Sequence, residues 1–255
     1  MSTALSARWI DRASPRARAR LAGVFEALEG LTSSVGQVLI LGGLIVSGDA
    51  AATATNILAH ETRFRLGFAI SLLGVAFHVA WVALFYDLFK PVSRRLSLLT
   101  AFVGLTVCAM QAVTSLLYLA PLEVLQGGPS LNGMTAAQLQ ALVMVFLKLN
   151  ARAFEVDLAF FGLWCILAGY LIFRSTFLPR ILGVLLMIDG LGWATYLSPP
   201  LGHALFSFIA AASALAEIPL QFWLIVKGVN SERWIEQARG AGELRGESIA
   251  GAGLQ

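Results

Sequence analysis

The sequence has few charged residues, only two cysteines and three histidines. Asp, Glu, Lys and Arg make up 13% of the 255 residues, whereas a typical soluble domain contains about 25%. This shortage argues against a soluble globular protein. Cys108 and Cys165 stand in separate apolar runs, so we expect reduced packing residues and neither a disulfide nor a metal site. Phosphate-binding and dinucleotide-binding loops are also missing, and we therefore predict no cofactor.

Apolar residues dominate what is present. They account for 58% of the chain, and the mean hydropathy is +0.77. Long apolar stretches with few charges are typical of proteins that cross a membrane. The formal net charge is +3, and its basic residues lie in short segments between the apolar runs. This distribution predicts the lipid bilayer as the partner and argues against nucleic-acid binding.

The sequence predicts an all-α membrane protein with six transmembrane helices. Each run is close to the roughly 20 residues that a helix needs to cross the hydrocarbon core, and the fifth is the shortest. The runs are Leu21–Val46, Phe64–Phe85, Leu96–Leu119, Phe154–Phe173, Ile181–Leu197 and Ala204–Val226. We interpret the first as an uncleaved anchor. Residues 1–20 then form a basic N-terminal segment, residues 21–227 the membrane domain, and residues 228–255 a polar, partly disordered tail.

Basic residues alternate between the two ends of the predicted helices. They concentrate in the N-terminal segment and in the second–third and fourth–fifth connections, where they are Lys90, Arg94, Arg95, Arg174 and Arg180. The other connections are poor in Lys and Arg. Because positive residues are retained on the cytoplasmic side, we predict that both termini lie in the cytoplasm. The alternation also favours an even number of spans.

Two connections carry local helix signals. The run after Asp49 is compatible with a short outer helix that has Asp49 as its N-cap. Thr135 and Gln138 form a capping box before a helical apolar pattern. A straight helix over residues 136–173 would measure about 57 Å at ~1.5 Å per residue. It must tilt, project outward or break near residues 150–152, and we expect an interfacial segment that feeds the fourth span.

Five ionisable residues fall inside the predicted spans, and such residues are candidate functional sites. They are Glu26, Glu29, His78, Asp189 and Glu217. The first two share one helix face with small and polar residues, and this face must meet other helices or a watery cavity. Counting from the cytoplasmic ends places most of the five at similar depth, which predicts a proton or cation site. Pro219 favours a kink beside Glu217. Alternatively, these groups serve packing alone.

A second polar cluster belongs to the predicted outer face. Its members are Asp49, Asn56, His60, Glu61, Arg63, Arg65, Glu155, Asp157 and His203. One interpretation is an extracytoplasmic binding or hydrolytic site around His60, Asp157 and His203. The histidines come from distant segments, so their spacing does not indicate a metal. The other interpretation is a set of salt bridges that tie the outer helix to the second span.

Several phrases in fixed order resemble a known family. They are Arg20-Leu21-Ala22-Gly23, Gly48-Asp49-Ala50, Phe64-Arg65, Leu88-Phe89-Lys90-Pro91-Val92, Phe160-Phe161-Gly162, the stretch GYLIFRSTFLPRILGVLL over residues 169–186, and Glu217 followed by residues 223–229. Together they resemble the bacterial integral-membrane family catalogued as domain of unknown function 4386. The resemblance implies a multi-span helical fold in the bacterial plasma membrane and supplies no activity, substrate or catalytic residue. Glu26, Glu29, His78 and Asp189 depart from the family's usual apolar or small residues.

Three functions stay open at this point. The first is a small transporter or proton-coupled carrier with its site near Glu29, Asp189 and Glu217. The second is a non-catalytic membrane subunit that assembles with itself or with a membrane partner. The third is a membrane enzyme that acts on a lipid-linked substrate at the outer face. The sequence identifies neither the ligand nor any catalytic residue.

Overall fold

The computed structural model describes residues 14–242, and over this range it contains helices and no strand. Six helices are long and apolar enough to cross a membrane: α1 (Pro15–Leu44), α3 (Glu61–Phe89), α4 (Arg94–Gln126), α5 (Ala136–Arg174), α6 (Arg180–Leu197) and α7 (Pro199–Val226). Two shorter helices are α2 (Ala50–Ala59) and α8 (Ser231–Gly240). The predicted all-α fold with six spans is confirmed. The predicted disorder at the C-terminus concerns residues outside the described range.

Large apolar side chains cover the surface of the long helices. Leu197 is 81% exposed, Phe208 75% and Leu215 66%. Exposing apolar surface to water costs about 25 cal/mol per Å², and soluble monomers rarely expose large contiguous apolar patches. In a bilayer these apolar side chains contact lipid instead of water, so the protein is a membrane protein. Its orientation in the membrane stays a prediction from the basic residues.

The local helix signals have the predicted geometry. The Asp49 carboxylate accepts a hydrogen bond of 2.8 Å from the backbone N–H of Ala52, which caps α2. At the start of α5, the backbone N–H of Thr135 donates to Gln138 Oε1 at 2.8 Å, and the N–H of Gln138 donates to Thr135 Oγ1 at 3.3 Å. Both predicted caps are therefore confirmed.

Helix α5 runs unbroken for 39 residues. At ~1.5 Å per residue it is about 58 Å long, nearly twice the ~30 Å thickness of the hydrocarbon core. Of the three predicted alternatives, a break near residues 150–152 does not occur. Asn150 is buried, and its Nδ2 donates to the carbonyl of Thr114 at 2.8 Å. Tilting and outward projection remain the two ways to accommodate the extra length.

The chain divides into two compact units. The first comprises Met1–Glu26, Ala80–Leu105 and Ala159–Gln255, and the second comprises Ala27–Val79 and Thr106–Leu158. Aromatic side chains form much of the first unit's core, where the ring of Trp164 lies 4.3 Å from that of Trp81 and 5.1 Å from that of Phe85. The C-terminal helix α8 joins this core through Trp234, whose Nε1 donates to the carbonyl of Leu88 at 2.8 Å.

Glycines allow α5 and α6 to pack backbone against backbone in the first unit. A Cβ at Gly190 would lie 2.5 Å from the carbonyl oxygen of Gly162, and a Cβ at Gly183 would lie 2.5 Å from that of Gly169. Such contacts are too short for any side chain. Two reciprocal glycine pairs therefore fix how α5 and α6 cross, as small residues do between many membrane helices.

The second unit brings α1 and α3 equally close. A Cβ at Gly36 would collide with Ser71 Oγ, and one at Gly74 would lie 2.7 Å from Thr32 Oγ1. The contact coincides with a change in winding, because Ser34–Leu41 of α1 is a π-helix. Segments of π-helix are rare and occur often at functional sites. This close contact positions the polar side chains described next.

Candidate functional site

Polar side chains of α1 face a small cavity within the second unit. Glu29, Ser33 and Gln37, which share the predicted polar face of the first span, line one wall of it. The remaining walls come from α3, α4 and α5, and their lining residues are Ser71, Gly74, Val75, Gln111, Thr114, Ser115, Phe154 and Asp157. The space available to the centre of a water-sized sphere is about 20 Å³. It is enough for roughly one water molecule.

Glu29 is held in place by side chains from two other helices. Gln111 Nε2 donates to its Oε1 at 3.0 Å. His78 Nδ1 lies 3.7 Å from the same oxygen, and the imidazole is completely buried. The structure therefore brings two of the five predicted intramembrane residues together, Glu29 and His78.

Asp157 is the second carboxylate of the cavity. Only 4% of its surface is exposed, and it lies close enough to Glu29 for the two charges to repel each other. The Gln111 amide also faces it. Sequence reasoning placed Asp157 with the outer polar residues, whereas the structure places it beside Glu29.

Three oxygen atoms of the cavity have no hydrogen-bond partner in the described part of the chain. Among the described residues, none makes a well-aligned hydrogen bond to Ser71 Oγ, Gln111 Oε1 or Asp157 Oδ1. Buried polar atoms without partners are costly, so an arrangement of three in one place indicates a missing ligand, either water or an ion. Sequence reasoning missed Gln111 and Ser71. A signal was present, because Gln111, Thr114 and Ser115 share one face of α4 at helical spacing.

The other predicted intramembrane residues form a separate cluster in the first unit. Glu26, Asp189 and Glu217 lie within electrostatic reach of the fully buried thiol of Cys165. Ser213 Oγ donates to Glu217 Oε1 at 2.8 Å. Asp189 is 0% exposed, and within the described chain neither of its oxygens receives a well-aligned hydrogen bond. The depth-based group of five thus divides between the two units.

The outer polar residues mostly make local contacts. Arg65 Nε donates to Glu61 Oε1 at 2.7 Å, and Gln126 Nε2 donates to the same oxygen at 2.9 Å. This trio links the start of α3 to the end of α4. Asn56 Nδ2 donates to the carbonyl of Leu44 at 3.3 Å and so ties α2 to α1. Apart from the Asp157 carboxylate, these contacts support the interpretation that the cluster stabilises the helix ends.

The histidines of the enzyme hypothesis do not line the cavity that contains Asp157. His60 Nδ1 lies 3.0 Å from the carbonyl oxygen of Asn56 at the end of α2. His203 belongs to the first unit, where its ring packs edge-on against Tyr196 at 5.7 Å. Over residues 14–242, no three His, Cys, Asp or Glu side chains converge as a metal site.

Comparison with known proteins agrees with the architecture. A family described as "Domain of unknown function (DUF4386)" matches residues 21–228. An uncharacterised protein of Archaeoglobus fulgidus is 27% identical over 165 residues, which cover 63% of this chain and 80% of that protein. No solved structure matches the chain. Because the family match extends over all six long helices, the resemblance inferred from the sequence phrases is confirmed, and the chain is a multi-pass membrane protein of the DUF4386 family.

Proposed function

We propose that the protein is a small carrier that moves a proton or another small cation across the membrane. The observation that carries this proposal is the buried cavity of the second unit, where Glu29 and Asp157 meet hydroxyl and amide groups from four membrane-spanning helices. Ionisable residues inside a membrane are expensive and commonly mark ion pathways. A purely structural role would be served more cheaply by apolar side chains.

The size of the cavity supports an ion over an organic substrate. Sites for small organic molecules usually enclose about 300–1,000 Å³, whereas this cavity offers about 20 Å³. Its lining also carries no arginine or lysine within the described chain, so nothing there would neutralise an anionic substrate. A proton or a small cation suits both the volume and the charge.

The contact between α1 and α3 supports a movable wall. Small residues let the two backbones approach without interlocking side chains, and Gly36 meets Ser71 at the cavity itself. The π-helical segment of α1 carries Gln37 into the same lining. A carrier must open its site to alternate sides, and α1 is the helix that we assign to this movement.

The acidic cluster around Cys165 is a second candidate for proton transfer. Its members Glu26, Asp189 and Glu217 share no residue with the cavity.

The proposal also includes the plasma membrane as location and cytoplasmic termini, which rest on the distribution of basic residues. A relative from an archaeon fits a prokaryotic plasma membrane and does not specify a bacterial one.

Flux measurements on the purified full-length protein in liposomes test the proposal. A trapped pH-indicator dye reports proton movement, and radioactive Na⁺ reports cation movement. We expect flux above that of protein-free liposomes. We expect Glu29→Gln and Asp157→Asn to reduce it about tenfold or more, since a charge-assisted contact is worth roughly 1.5–3 kcal/mol and each 1.4 kcal/mol is tenfold in rate.

Glu61→Gln is the matched control, because this exposed carboxylate pairs with Arg65 away from the cavity. It should fold and transport like the unmodified protein. Undiminished flux in both cavity variants would refute the site, and a wild-type protein no more permeable than empty liposomes to protons and Na⁺ would refute the carrier function.

A further inference from the structure

We infer that the cavity of the second unit binds one dehydrated Na⁺ ion through Asp157 Oδ1, Gln111 Oε1 and Ser71 Oγ. The inference rests on the proposed function and deepens it, since it names the ion. Its starting point is that these three oxygens, in the described part of the chain, are buried and have no partner. Ser71 and Asp157 are only 7% and 4% exposed.

The direction of the surrounding hydrogen bonds favours a cation. Thr114 Oγ1 donates to the carbonyl of Met110 at 3.0 Å, and Ser115 Oγ donates to that of Gln111 at 2.9 Å. Each hydroxyl has only one proton, so both oxygens offer only lone pairs to any further partner. The amide nitrogen of Gln111 donates to Glu29 and also faces Asp157, and within the described chain its oxygen has no partner. The hydroxyls of Thr114 and Ser115 and the Gln111 oxygen therefore offer acceptors to an occupant of the cavity.

The charge balance also requires a positive occupant. Glu29 has the Gln111 amide and His78 beside it. Among the described residues that line the cavity, Asp157 faces no basic side chain. An uncompensated buried carboxylate is strongly unfavourable. One monovalent cation would neutralise Asp157, and the oxygens around it would replace the ion's hydration shell.

The donor set argues against other metals. Zinc sites use sulfur and nitrogen ligands, and within residues 14–242 no such group converges. Calcium takes about six to eight oxygens, usually with several carboxylates, whereas this cavity contains two carboxylates in a volume of about 20 Å³. Because there is room for roughly one water molecule, a hydrated ion is excluded, and smaller ions fit better than K⁺.

Thermal unfolding of the full-length protein in detergent tests the inference. NaCl is titrated against choline chloride at constant ionic strength, and the unfolding midpoint is followed by tryptophan fluorescence. A ligand that binds only the folded state stabilises it progressively as its concentration exceeds Kd. We expect the midpoint to rise and saturate with Na⁺, and to rise less with K⁺.

Variants assign the response to the cavity. Asp157→Asn should abolish it, and Ser71→Ala should raise the Kd for Na⁺ by roughly tenfold or more, the range found when groups around a bound metal are removed. Glu61→Gln, on an exposed pair, should respond like the unmodified protein. If Asp157→Asn does not fold, the weaker Na⁺ binding of Ser71→Ala assigns the site, and equilibrium binding of radioactive Na⁺ to the unmodified protein, displaced by NaCl and not by choline chloride, tests Na⁺ binding itself.

The outcomes separate this inference from the carrier proposal. An unfolding midpoint that is identical in Na⁺, K⁺ and choline would overturn Na⁺ binding and leave a water molecule or a proton as the occupant. If proton flux still depended on Glu29 and Asp157, the carrier function would stand without the Na⁺ site. Saturable Na⁺ binding without any flux would support the ion site and overturn transport.

Discussion

Adding one methyl group at Gly190 tests how tightly α5 and α6 are held together. A Cβ there would lie 2.5 Å from the carbonyl oxygen of Gly162, 2.8 Å from the backbone nitrogen of Ile166 and 2.9 Å from the Cβ of Cys165. Two of these three atoms belong to the backbone and cannot rotate away. To reach an ordinary contact of 3.4 Å, the two helices must separate by about 0.9 Å.

The expected cost combines two opposing effects. Overpacking a well-packed site destabilises by about 1–3 kcal/mol, and the better helix propensity of alanine returns about 1 kcal/mol. Gly190→Ala should therefore lower the free energy of unfolding by up to about 2 kcal/mol. At about 2–4 °C per kcal/mol for a chain of 150–250 residues, the midpoint should fall by up to about 8 °C. Gly162→Ala added to Gly190→Ala should lower the free energy of unfolding by less than Gly162→Ala does alone, because the first methyl group has already separated the helices.

Thermal unfolding in detergent measures the effect, with Gly30→Ala as the matched control. A Cβ at Gly30 would meet no atom within 4 Å, so alanine should be neutral or stabilising by up to about 1 kcal/mol. Equal midpoints for Gly190→Ala and Gly30→Ala would show that α5 and α6 do not pack backbone against backbone.

Further substitutions address α8, α2, the cluster in the first unit and the membrane topology. Trp234→Phe leaves the buried carbonyl of Leu88 without its donor and should cost about 1–3 kcal/mol, read as a lower unfolding midpoint and faster proteolysis of α8. Asp49→Ala removes the cap of α2 and should cost about 1 kcal/mol, whereas Asp49→Asn should cost little. Asp189→Asn should leave the Na⁺-dependent midpoint unchanged, because its cluster shares no residue with the cavity. Topology is checked with Thr55→Cys, since both native cysteines are buried: an impermeant thiol reagent should label it from outside, and a cysteine in α8 only after permeabilisation.

Features that depend on neighbours along the chain could be predicted from the sequence. The six spans could be predicted from the lengths of the apolar runs, because a hydrocarbon core of fixed thickness requires a minimum number of apolar residues in each helix that crosses it. The caps at Asp49 and Thr135 followed from contacts over three residues, which the side chains make with their own backbone. Such interactions need no knowledge of which helices are adjacent.

The candidate site was only partly predictable, because sequence gives depth in the membrane and not lateral position. Counting residues placed Glu29, Asp189 and Glu217 at similar depth, yet Glu29 belongs to the second unit and the other two to the first. Asp157 was assigned to the outer face because it lies near the start of its predicted span. A break of α5 near residues 150–152 was one of three alternatives, whereas Asn150 bonds across to Thr114, a partner that only the tertiary structure supplies.

The π-helical segment of α1 makes the cavity sensitive to chain length as well as to composition. Glu29, Ser33 and Gln37 are four residues apart, and in an α-helix each such step drifts by roughly 40° at ~3.6 residues per turn. The wider winding of Ser34–Leu41 turns the second step in the opposite sense, which returns Gln37 to the side of Glu29. Deleting one residue after Gln37 in this segment would restore α-helical winding while keeping the spacing of eight residues from Glu29 to Gln37, which turns Gln37 by roughly 80° from Glu29 and out of the lining. A relative that is one residue shorter between Gln37 and Leu41 is expected to lack this wall of the cavity even if it retains every polar side chain.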